Sequence, residues 1–246
     1  MVPAERLIIQ QWALHPPSTV HLTSQPVTRS PSHWMPPPEG FIKINFDGAS
    51  KGNPGAAGYG LVFRNHKGHI LIISAGSLGH STNNNAELWG LLNGLCLARD
   101  HGFTKLIVEG DSQLIIKILR RMLNGVPPDK LEPSWRLSLG LQMLADLLQP
   151  NYAIVPSHIR RKANQVADEL ANLGTNWSGP ELLCDSRRDP DHQILQRCIS
   201  KAEEADRSPD GVLLEATGHM ERDGTGPSST RPRDGPVPNP VTSLQA

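Results

Sequence analysis

The strongest constraint on the fold lies between residues 41 and 75. There, three short apolar runs follow one another with only tight Gly/Pro/Asn or Gly links between them. Phe41 to Phe46 (FIKINF) alternates apolar and polar residues, the period-two pattern of a strand with one buried face. Gly48 to Gly58 reads as a turn region. Tyr59 to Arg64 reads as a second strand, and His66-Lys67-Gly68 as a hairpin turn into a third, His69 to Ala75. Strands linked this closely pair antiparallel.

The period then changes. Leu88, Leu91, Leu92, Leu95 and Ala98 recur at helical spacing within Asn83 to His101, and Gly102 stands where a C-terminal cap belongs. Thr104 to Glu109 predicts a short buried strand and Ser112 to Met122 a helix, which Asn124 to Pro128 interrupts. Trp135 to Leu148 predicts a further helix stopped by Pro150, Tyr152 to Val155 a last strand, and Lys162 to Leu173 a last helix. The order βββαβααβα implies an α/β fold. Three antiparallel strands come first, and two more return through helices as parallel neighbours with right-handed crossovers. The expected result is a mixed five-stranded sheet flanked by helices.

The flanks differ in composition. Residues 1–40 are rich in Pro, Ser and Thr and end in Pro36-Pro37-Pro38, and residues 176–246 are acidic and rich in Gly and Pro. Both read as largely disordered segments around a domain at 41–175, with one short helix expected around His192 to Glu204. Residues 41–175 hold 14 Lys and Arg against 10 Asp and Glu, and residues 176–246 hold 8 against 12. A mildly basic body suits a phosphate backbone, although the whole chain is formally neutral. Cys96, Cys184 and Cys198 are too widely spaced for a zinc site or a disulfide framework, which suggests a reducing compartment. No apolar stretch is long enough to span a membrane, and the N-terminus lacks the pattern of a secretory signal. An intracellular protein is expected, nuclear or cytoplasmic, since the short basic runs decide neither.

Four acids occupy notable places in this layout. Asp47 follows the first strand, Glu87 lies in the first turn of the first helix, Asp111 follows the LIVE strand, and Asp168 lies in the last helix. Strand ends and helix starts converge on one rim of an open sheet. Carboxylates gathered there repel one another unless cations share the site, and hard oxygen ligands favour Mg²⁺ or Mn²⁺. Two such ions can serve hydrolysis of a phosphodiester. Each acid also has a plainer reading. Asp47 before Gly48 and Asp111 before Ser112 suit a turn and a cap. Glu87 suits the helix dipole, and Asp168 a solvated helix face.

The surrounding residues carry a resemblance. FDGASKGNPGAAGYG at 46–60, STNNNAELWGLL at 81–92, VEGDSQLII at 108–116 and HIRRKANQVADELAN at 158–172 resemble the type 1 ribonuclease H family. WMPPPEGFIKINFDGA at 34–49 is similar to the plant branch found as stand-alone proteins and in non-LTR retrotransposons. The resemblance covers roughly residues 34 to 175. It implies a ribonuclease H-like fold and catalytic, metal-binding roles for Asp47, Glu87, Asp111 and Asp168, holding two Mg²⁺ ions, with Mn²⁺ as a substitute. His158 matches a mobile histidine that assists proton transfer or product release. Asn53, Thr82, Asn83, Asn84, Gln113 and Asn164 match substrate-contact positions, though each also suits a cap or turn, Asn83 above all.

The implied activity is metal-dependent endonucleolytic hydrolysis of the RNA strand of an RNA–DNA hybrid by a monomer. Such recognition rests on 2′-hydroxyl and phosphate contacts. Two departures point to weaker substrate binding. The short, nearly neutral MLNGVPPDKLEPSW at 122–135 replaces a basic, Trp-containing protrusion, and Asn85 replaces a basic residue. The alternative is a nucleic-acid-binding module with little turnover, of transposon origin.

Overall fold

The computed structural model describes residues 33–131, 137–148 and 152–206. The first strand, β1 (Ile42–Gly52), pairs antiparallel with β2 (Gly55–Arg64), and β2 pairs antiparallel with β3 (Ile70–Ser81). Helix α1 (Asn83–Asp100) leads to β4 (Lys105–Gly110), and α2 (Gln113–Leu123) and α3 (Ser138–Leu147) lead to β5 (Ala153–His158). A short turn of 3₁₀ helix at Arg161–Ala163 precedes α4 (Gln165–Gly174). Strand β4 lies parallel to β1 and β5 parallel to β4, as the crossover connections predict. This is a ribonuclease H-like α/β architecture.

Three expectations are corrected. The sheet has six strands in the order β5-β4-β1-β2-β3-β6, not five. Strand β6 (Leu182–Asp185) pairs antiparallel with the outer edge of β3, joining Ile72 to Asp185 and Ala75 to Leu182. Helix α5 (Gln193–Asp206) follows it, so the folded unit runs well past residue 175. The four-residue LLCD is too short to announce itself by alternation, and it becomes a strand because β3 offers it a partner. At the other end, Trp34 is packed into the domain. The remainder of both predicted disordered flanks, residues 1–32 and 207–246, and the predicted start of the third helix at Trp135 lie outside the described residues.

The third correction concerns Gly48 to Gly58, most of which is strand. The β1–β2 ladder continues through Gly48↔Tyr59 to Gly52↔Gly55, leaving only Asn53 and Pro54 as the turn. The glycines are there for close approach. A Cβ on Gly48 would lie 2.1 Å from the Glu87 nitrogen, and one on Gly60 would lie 2.3 Å from the Ala171 nitrogen. These absences of side chain let α1 and α4 rest directly on the sheet.

Alternation along the strands feeds two cores. Ile44, Phe46, Leu61 and Phe63 face α1, α2 and α3. Val62, Ile73 and Ala75 face α4 and α5, where Val166, Leu170, Leu195 and Cys198 close over them. Both faces of the sheet are therefore covered, and the polar positions of β1 lie in the interior instead of in solvent.

Candidate metal centre

The strand ladder, α1 and the end of β4 bring three acids together. Asp47 sits inside β1 opposite Gly60, Glu87 projects from the first turns of α1, and Asp111 follows β4 directly. One carboxylate oxygen from each lies within 4.8 Å of the other two. Glu87 reaches Asp47 because Gly48 lets the start of α1 press against β1. That start is itself fixed twice. Thr82 caps it, its hydroxyl accepting the Asn85 N–H at 3.3 Å, and the Asn53 side-chain oxygen accepts the Asn83 N–H at 3.1 Å.

Asp47 and Glu87 are buried. Burial, followed by the charges of Glu87, Asp111 and Asp168, pushes the Asp47 carboxyl up to about 10. Burial and then Asp111 push Glu87 well above the carboxylate range. Carboxyls this close cannot all ionise without a compensating cation. The Oε2 atom of Glu87 is buried and has no hydrogen-bond partner, which a metal ligand would explain. The donor set, carboxylate oxygens at a half-open strand end, fits a hard divalent cation such as Mg²⁺ or Mn²⁺.

Asp168 lies on the same rim, since its charge raises both Asp47 and Glu87, but it is not one of the three that meet. Arg161 holds it instead: the Arg161 Nε–H donates to Asp168 Oδ1 at 2.9 Å, and Nη2 makes a second, shorter contact to the same oxygen. His158, the last residue of β5, sits opposite Gly110 with its Nε2 3.1 Å from the Asp111 carbonyl oxygen. That places an imidazole beside the acids.

The expected substrate contacts divide. Asn53, Asn83, Asn84 and Gln113 are exposed near the rim, and Thr82 is half-buried in its capping role. Thr82, and not Asn83, is the N-cap. Asn164 is 1% exposed and cannot meet a substrate there. Its Nδ2 donates to the Phe46 carbonyl at 2.9 Å, fastening the start of α4 to β1 one residue before Asp47.

Arg161 as the partner of Asp168, and a buried polar group of Lys43, Asn45 and Glu109, were not foreseen. Lys43 and Asn45 stand at the polar positions of FIKINF, which local alternation reads as solvent-facing.

Residues 45–174 match the family described as reverse transcriptase-like. The chain is 30% identical over 175 residues to a putative ribonuclease H protein of Arabidopsis thaliana, a match covering 69% of this chain and 27% of that protein. It is 36% identical over 133 residues to ribonuclease HI of Halobacterium salinarum, covering 54% of this chain and 63% of the relative. The match thus spans less than two thirds of either relative. The crystal structure of the RNase H1 of Halobacterium salinarum superposes with a TM-score of 0.48 at 33% identity, covering 55% of this chain and 96% of that one.

Proposed function

We propose that this chain, which belongs to the reverse transcriptase-like family, is a divalent-metal-dependent ribonuclease that hydrolyses the RNA strand of RNA–DNA hybrids. The observation that carries the proposal is the meeting of Asp47, Glu87 and Asp111, with an orphaned, buried Glu87 oxygen among them. Similarity to proteins named ribonuclease H gives that site its substrate class.

Asp47, Glu87 and Asp111 would hold one Mg²⁺, and Asp168, here paired with Arg161, would complete a second site. Bound there, such ions supply the positive charge that a phosphodiester and its leaving oxygen require. The protein's own groups do the rest. The exposed side chains of Asn53, Asn83, Asn84 and Gln113 line the approach to the acids and offer hydrogen bonds to ribose hydroxyls and phosphates. His158, tethered to the Asp111 backbone, is placed to carry a proton away from the rim. Among the described residues no helix is long and apolar enough to cross a membrane.

The test uses a hybrid labelled on its RNA strand, incubated with purified protein and Mg²⁺. Wild type is expected to cut the RNA strand, and Asp47→Asn to lose at least about 100-fold, the scale of removing a group that fixes transition-state charge. Equal cleavage by both sinks the assignment. Hybrid binding without cleavage by wild type identifies a binding module instead.

A further inference from the structure

Two acids of the proposed centre, Asp47 within β1 and Asp111 directly after β4, depend on how those two strands are aligned, and what holds the strands in step lies two residues behind them. Asn45 and Glu109 are the last paired residues of the β1–β4 ladder, and Asp47 and Asp111 each follow two positions on. Because side chains alternate, Lys43, Asn45 and Asp47 share one face of β1. A slip of one residue between β1 and β4 would send one of the two acids to the opposite face.

That face carries a closed set of buried polar contacts. Asn45 Nδ2 donates to Glu109 Oε2 at 3.0 Å, and Lys43 Nζ pairs with Glu109 Oε1 at 2.7 Å. The Trp34 indole N–H donates to Asn45 Oδ1 at 2.9 Å. Lys43 also donates to the Met35 carbonyl at 2.6 Å, so it is bound from both sides. The Trp34 ring has Arg64 over it at 4.3 Å and Lys43 at 5.2 Å from its centroid. Trp34, Lys43, Asn45, Arg64 and Glu109 are each 7% exposed or less.

A buried ion pair costs desolvation and is a poor source of net stability. Its firmest use is to specify one geometry over its alternatives. Here the network spans the β1–β4 boundary, across which Asp47 and Asp111 must be aligned. Trp34 closes it from a segment that precedes the family match at residues 45–174.

We propose that Trp34, with Lys43, Asn45 and Glu109, forms a register lock that positions Asp47 against Asp111. The segment leading into β1 is therefore a working part of the metal centre. The inference rests on the metal-binding reading of the three acids. Trp34 is a positioning residue and touches no reacting atom.

The test is titration of the full chain with Mn²⁺, followed by calorimetry at a temperature where every variant is folded. Trp34→Phe keeps a ring beside Lys43 and Arg64 but removes the N–H that holds Asn45. Trp34→Ala removes both. Leu195→Ala, in the core beneath α5 and outside the set of polar contacts, serves as a destabilised control. The lock predicts a Mn²⁺ affinity about 10-fold weaker for Trp34→Phe and weaker still for Trp34→Ala, on the scale seen when groups supporting metal ligands are lost. Leu195→Ala keeps the wild-type affinity while melting earlier. Should Trp34→Ala fail to fold, Trp34→Phe alone decides. Wild-type affinity in Trp34→Phe, or an equal loss in Leu195→Ala, overturns the lock. Absence of any Mn²⁺ response in wild type is a different result: it refutes the metal reading itself, and the lock with it.

Discussion

Substituting Gly48 by alanine probes the centre through a single methyl group. The added Cβ would lie 2.1 Å from the Glu87 nitrogen, 2.3 Å from the Ala86 carbonyl carbon and 2.7 Å from the Glu87 Cα. Ordinary contact begins at 3.4 Å, so the start of α1 and β1 must part by about 1.3 Å. All three obstacles are backbone, and no rotamer change relieves them. Overpacking of this kind costs roughly 1–3 kcal/mol. For a domain of this size that is about 2–4 °C of Tm per kcal/mol. The larger consequence is functional. Glu87 moves away from Asp47 by more than the ~0.5 Å tolerance of a preorganised site, and a misplacement near 1 Å is worth about 100-fold in rate. The assay pairs thermal unfolding with Mn²⁺ titration and hybrid cleavage. Gly102→Ala is the comparison: it has φ of 71° and open space around its Cβ position. It should lose about 1–2 kcal/mol from left-handed strain alone and keep its metal affinity. If Gly48→Ala binds Mn²⁺ and cuts hybrid like wild type, the argument that close approach builds the centre is refuted.

Three further outcomes follow from the geometry. Without metal, burial and mutual repulsion hold protons on Asp47 and Glu87 that the unfolded chain releases from about pH 4 upward. Stability must therefore fall as pH rises from that point toward the raised folded-state values, about 10 for Asp47. Asp47→Asn should flatten this slope and raise the metal-free Tm at pH 8. A metal-free Tm that is flat in pH, or a lower Tm in the variant, contradicts this. Arg161→Gln frees Asp168 from its ion pair and removes a positive charge from the rim, so less Mn²⁺ should be needed for half-saturation; an unchanged or higher requirement speaks against competition for Asp168. Ending the chain after Thr175 removes Leu182 and Leu195, both buried against the β3–α4 core. At about 1.5–3 kcal/mol for each buried leucine, the loss is roughly 3–6 kcal/mol, visible as a large drop in urea midpoint; an unchanged midpoint contradicts it.

Much of this protein follows from local pattern. The periods of FIKINF, of Leu88 to Ala98 and of TKLIVE depend only on which residues lie two, three or four positions apart, so the first five strands and the helices between them were legible in the sequence. The positions of Glu87 and Asp111 at the rim were legible for the same reason, because each stands at or near an element end, whereas Asp47, expected to follow its strand, lies within β1.

The tertiary structure decided what depends on distant partners. Strand β6 exists because β3 has a free edge, and LLCD carries no period of its own. Gly48 and Gly60 read locally as turn residues, yet they serve α1 and α4, which approach from far along the chain. Asn164 turns inward to the Phe46 carbonyl, 118 residues away. Asp168 goes to Arg161 instead of joining the other three acids. Lys43 and Asn45, polar positions of a strand that local alternation sends to solvent, are buried with Glu109 because both faces of the sheet are covered, and sequence spacing holds no record of which faces a fold will cover.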